Sequence, residues 1–100
     1  MYHSKQESSQ ADWLCDALVA VDSREEAYRL LDDLCTIAEV QAMAQRLEVA
    51  RMLRDGATYQ EIVRQTGAST ATISRVNRCL HYGAEGYTHV LDRLNKQEGC

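Results

Sequence analysis

Between Thr58 and Arg78 the chain reads TYQEIVRQTGASTATISRVNR, and here the residue types and their order can do chemistry. Ser69, Thr70, Thr72 and Ser74 bring hydroxyls, Ala71 and the threonines bring small methyls, and Arg75 and Arg78 bring guanidinium groups. Hydroxyls bond phosphate oxygens or base edges, a methyl meets the thymine methyl, and arginine pairs bidentately with phosphate or guanine. Arg64, a little upstream, adds a cation that can pair with a phosphate backbone. The set suits recognition of double-stranded DNA.

Two short helices must hold these groups. Thr58 with Glu61 forms a capping box that opens the first helix, and Ser69 caps the second, which should run to about Leu80. Gly67 between them supplies the conformation of a tight turn or, more plainly, of a helix C-cap. Ile62, Ala68, Ile73 and Val76 are the inward contacts, with Ala68 small because the helices approach closely there. Burying Ile73, Val76 and Leu80 turns Ser69, Thr70, Ala71, Thr72, Ser74, Arg75 and Arg78 outward. This is the sequence form of a helix-turn-helix, whose second helix enters the major groove. The free N–H groups and positive dipole at its N-terminus favour a phosphate. The same outward face would also serve as an ordinary solvated surface, and helix pairs of this kind occur in proteins that never touch DNA.

The charge distribution favours DNA. The whole chain carries −4, but residues 41–80 hold six arginines (46, 51, 54, 64, 75 and 78) against three acids. Residues 1–40 hold three basic and nine acidic side chains. A phosphate backbone meets local charge, and the motif lies in the positive segment.

Catalytic groups are not expected. Asp32 and Asp33 are adjacent and diverge on a helix, and no Ser/His/Asp set, phosphate-cradling glycine loop or HExxH occurs. Neither a metal nor a cofactor is expected: the cysteines at 15, 35, 79 and 100 form no CxxC, and His3, His81 and His89 add no ligand spacing. Cys15 and Cys35 are read as small buried hydrophobes and Cys100 as free. With no apolar h-region and no membrane-length apolar run, the expected location is the cytoplasm and the thiols are expected to be reduced.

The remainder reads as further helices, six in all, with no strand pattern and no proline. Residues 11–96 form the folded domain, residues 1–10 are a disordered tail, and the last five residues fray. Trp13, Leu14, Ala17, Leu18 and Val21 form one stripe. Ser23 with Glu26, and Thr36 with Glu39, read as two more capping boxes. The helix from Thr36 to about Asp55 has a clean stripe of Ile37, Val40, Met43, Ala44 and Leu47. Its second half places Val49, Ala50, Met52 and Leu53 on several sides, which calls for more than one packing partner. In a chain of 100 residues a second subunit would supply it. Gly56 ends this helix, and Tyr82, Gly83 and Gly86 mark a turn before a last amphipathic helix.

The run TGASTATISRVNRCL resembles the reader region of the Trp-repressor superfamily. LDDLCTIAEVQAMAQRLEVARMLRDGATYQEI and LHYGAEGYTHVLDRL are similar to its YerC/YecD group of regulators. The resemblance covers roughly residues 11–96. It implies an all-α, intertwined homodimer and a bacterial transcriptional regulator, a repressor, bound to a pseudo-palindromic operator. Two recognition helices would enter successive major grooves about 34 Å apart. For the family's amino-acid effector, the resemblance carries over Arg75 on the reader helix. A second arginine position falls at Gln45, with Arg46 one residue off. The glycine that accommodates the indole is replaced by Val76, and a serine contact by Cys79. These departures argue against tryptophan and leave Arg75 for DNA or for an ion pair.

Three readings follow: a sequence-specific DNA-binding regulator acting as a homodimer, a helix-turn-helix scaffold serving protein interaction, and an amino-acid-responsive repressor.

Overall fold

The computed structural model describes residues 2–98. Cys100 and the end of the fraying expected at the C-terminus lie outside them. Six helices, and no strand among the described residues, build the chain: α1 (Ser9–Ala20), α2 (Arg24–Leu34), α3 (Ile37–Arg54), α4 (Tyr59–Thr66), α5 (Thr70–Tyr82) and α6 (Gly86–Glu98). No helix among the described residues is long and apolar enough to cross a membrane.

The chain divides into two compact units, one ending at Ile37 and the other beginning at Ala38. In the first, Ser8 caps α1 by accepting the Ala11 N–H, so the helix begins at Ser9, ahead of the Ala11 start expected from periodicity. Ser23 caps α2 by accepting the Glu26 N–H at 3.1 Å. The expected box forms only halfway: the Glu26 carboxylate accepts the N–H of Asp22, not that of Ser23. A carboxylate at the helix N-terminus satisfies either donor, and side-chain geometry selects the one further out.

Neither α1 nor α2 buries a residue. Trp13 is 77% exposed, and Leu14, Leu18 and Leu34 are exposed as well. Cys15 is exposed and Cys35 half-buried, which corrects their reading as buried hydrophobes. The stripe exists as periodicity but is covered only in part: Ala17 and Val21 are half-buried.

The second unit holds the core. Val49, Ala50 and Met52 of α3 pack with Ile62, Ala68, Ile73, Val76 and Leu91, flanked by Leu53, Ala57, Leu80 and Tyr87. This reverses one expectation. The many-sided second half of α3 finds its covering residues within its own chain, because α4, α5 and α6 close around it. The clean stripe of the first half is what stays open: Ile37, Met43 and Leu47 are exposed. At the end of α3, Gly56 takes φ +89°. The Ala57 N–H then bonds back to the Met52 carbonyl at 3.0 Å. Gly86, expected in a turn, is the first residue of α6. The turn centres instead on Gly83 and on Glu85, whose φ is +68°.

Candidate nucleic-acid interface

The candidate interface is built on α4 and α5. The Thr58 hydroxyl accepts the Glu61 N–H at 3.2 Å, and the Glu61 carboxylate accepts the Thr58 N–H at 3.1 Å. This reciprocal box satisfies two of the four N–H groups a helix start leaves without partners. α4 ends on Gly67, which adopts the left-handed conformation (φ +73°) and donates its N–H to the Val63 carbonyl. Two residues later Ser69 opens α5, its oxygen accepting the Thr72 N–H at 3.1 Å.

Thr66 organises the turn. Its hydroxyl donates to the Ile62 carbonyl at 2.7 Å and accepts the Ala68 N–H at 3.1 Å. Its own carbonyl accepts a hydrogen bond from the Gln45 side-chain amide of α3 at 3.2 Å. Ala68, 2% exposed, is packed beneath this network together with Ile62, Ile73 and Val76. All four expected inward residues are therefore buried, and α5 is seated on the core through its Ile73–Val76 side.

The opposite side carries the expected contact residues. Ser69, Thr70, Ala71, Ser74, Arg75 and Arg78 are exposed, and Thr72 is half-buried. Arg64 is exposed on α4. Ser69 and Thr72 are engaged with each other, their hydroxyl oxygens 3.1 Å apart. The N–H groups of Thr70 and Ala71, in the first turn of α5, have no carbonyl one turn back within the helix. They sit at the positive end of the helix dipole, and no acidic residue lies in that turn.

Of the six arginines in the positive segment, two are neutralised locally. Arg51 pairs with Glu48 on α3. Arg54 reaches Asp92 on α6 at 2.6 Å. Arg64, Arg75 and Arg78 take part in none of the ion pairs among the described residues. Among the described residues Arg75 is thus no ion-pair partner, and all three arginines are exposed.

The four residues carried over for an effector stand in different surroundings. Gln45 is occupied by Thr66, Arg46 is half-buried, and Arg75 is exposed on α5. Cys79 alone lines an apolar cavity of about 450 Å³, with Leu47, Ala84, Glu85, Gly86, Tyr87 and Val90. Val76, where the resemblance puts a small glycine, is 1% exposed and part of the core. The Gln45–Thr66 and Arg54–Asp92 ties carried no signal in the sequence, since their partners lie 21 and 38 residues apart.

The family model for the Trp repressor protein matches residues 9–95. YerC of Bacillus subtilis strain 168, an uncharacterized protein, is 53% identical over 98 residues, covering 98% of this chain and 94% of YerC. The crystal structure of a candidate Trp repressor from Staphylococcus aureus superposes with a TM-score of 0.86 at 49% identity, covering 91% of each chain. A TrpR-like protein from Eubacterium eligens superposes with a TM-score of 0.86 at 48% identity, over 90% of this chain and 93% of that one.

Proposed function

The chain belongs to the Trp repressor family, whose members are helix-turn-helix transcription regulators, and from that premise we propose that it is a sequence-specific DNA-binding repressor acting as a homodimer. Residues 11–96 form its DNA-binding domain. α5 is the recognition helix and lies in the major groove. Arg75 and Arg78, with Ser74, Thr70 and Ala71, meet base edges and phosphates, and Arg64 meets the flanking backbone. Ser69 and Thr72 hold the helix start against the phosphate.

The observation that carries this reading is the open state of Arg64, Arg75 and Arg78 beside an acid-free helix N-terminus, in a chain of net charge −4. No acid lies in the first turn of α5, and ion pairs among the described residues do not neutralise these three arginines. This face leaves them available to phosphate.

The homodimer is supported by apolar surface. α1 and α2 hold no fully buried residue, and Trp13, Leu14, Leu18, Ile37, Met43 and Leu47 are exposed. So many large apolar groups on a small chain call for a partner surface. A second copy supplies it and places two recognition helices on a two-fold symmetric operator.

Selection from a random duplex library at physiological salt tests the proposal. Enrichment of a pseudo-palindrome, with affinity falling steeply as salt rises, is the expected outcome. Recovery of no preferred sequence would favour a protein-interaction role instead. Calorimetry with L-tryptophan is expected to show no heat, since Val76 fills the core where the resemblance places the indole.

A further inference from the structure

We infer that Gln45 is a positioning residue for DNA recognition: its hydrogen bond to the Thr66 carbonyl fixes the turn that leads into the recognition helix against α3. The inference rests on the DNA-binding reading of α5.

Thr66 is the last residue of α4, and its carbonyl is one of those a helix end leaves without an intrahelical donor. Only Gly67 and Ala68 separate it from Ser69, the cap of α5. Gly67 is left-handed and Ala68 is buried. The Thr66 hydroxyl already bonds the backbone on both sides of the turn, at Ile62 and at Ala68. These bonds are all local, and beyond them the turn is held to the rest of the core by the packing of Ile62, Ala68 and Ile73, which is not directional. Gln45 adds a directional tie from α3. Its amide comes from α3, the helix that contributes Val49, Ala50 and Met52 to the core, and holds the turn at 3.2 Å. The bond is partly buried, so water competes with it less than at an exposed site. Beneath it Val76 is fully packed, which seats α5 from the other side.

Base readout depends on the placement of α5, whereas attraction to phosphate depends mainly on charge. The informative quantity is therefore the ratio of affinities for the selected duplex and for a scrambled one. It is measured on the full-length protein with Gln45→Met, similar in length but without a donor, and with Gln45→Lys, which restores a donor. Gln45→Met should keep its helical content and lower the ratio about two- to tenfold, the fold-change that one net hydrogen bond is worth. Amide exchange at Gly67 and Ala68 should quicken. Gln45→Lys should recover most of the ratio, its added charge acting equally on both duplexes.

A ratio unchanged in Gln45→Met, or lowered equally in Met and Lys, overturns the positioning role. Both outcomes require that the wild type prefer a sequence. If it prefers none, the DNA-binding reading itself fails and this inference with it.

Discussion

Ser69 and Thr72 are bound twice over at the start of the recognition helix: the Thr72 N–H donates to the Ser69 oxygen, and the two hydroxyls hydrogen-bond at 3.1 Å. Ser69 is therefore first a helix cap, whatever it does at a phosphate. The two roles separate by substitution. Ser69→Ala should destabilise the fold by about 1 kcal/mol through the lost cap. Ser69→Asp keeps a strong cap and should leave denaturant stability close to wild type, but its carboxylate faces the DNA backbone and should lower DNA affinity more than tenfold. Urea titration and DNA titration of both variants check this, and an Asp variant that binds DNA normally would remove Ser69 from the interface.

Arg64, Arg75 and Arg78 should differ in kind. Removing a phosphate contact weakens binding to all sequences and reduces the slope of log affinity against log salt by about one. Removing a base contact costs about 1–3 kcal/mol on the preferred duplex and relaxes one position of the site. Arg64→Ala is expected to do the first, and at least one of Arg75→Ala and Arg78→Ala the second. Binding measured at several salt concentrations, on preferred and altered duplexes, sorts them.

Gly67 has open space where a Cβ would stand, so its requirement is conformational and not steric. At φ +73° an L-residue is strained. Gly67→Ala should cost about 1 kcal/mol, and Gly67→Asn less, because asparagine tolerates the left-handed region. Thermal melts of the pair give the order, and equal melts would contradict it.

The Arg54–Asp92 pair joins α3 to α6 with its side chains 32% and 50% exposed. A double-mutant cycle should return a coupling of about 0.2–1 kcal/mol, smaller at high salt. It holds the last helix in place and should leave DNA specificity unchanged.

Trp13 and Ile73 should fail in different ways. Ile73 is 0% exposed, and its truncation to alanine should cost about 2–5 kcal/mol by opening a core cavity. Trp13 is 77% exposed in the single chain, so Trp13→Ser should spare the core and shift sedimentation from dimer towards monomer. A Trp13→Ser protein that sediments as a dimer identical to the wild type would place the subunit contact elsewhere.

The helix-turn-helix was legible because its signals are local. The Thr58–Glu61 box, the Gly67 turn, the Ser69 cap and the inward set Ile62, Ala68, Ile73 and Val76 each follow from residues within one or two helical turns of each other. Backbone geometry alone relates such positions. The outward position of Arg75 and Arg78 follows from the same period. The burial of Cys15 was misread because periodicity says which residues share a face, not whether anything covers that face.

The sequence by itself therefore determined the six helices, the turn between α4 and α5, and the side of α5 that meets solvent. Only the tertiary structure decided which half of α3 its own chain covers, that Arg54 is tied to Asp92 while Arg75 and Arg78 stay open, and that Gln45 grips the Thr66 carbonyl. The physical reason is range. Caps and turns are set by backbone geometry over three or four residues. A partner 21 or 38 residues away is set by how whole helices pack, and no local pattern encodes it.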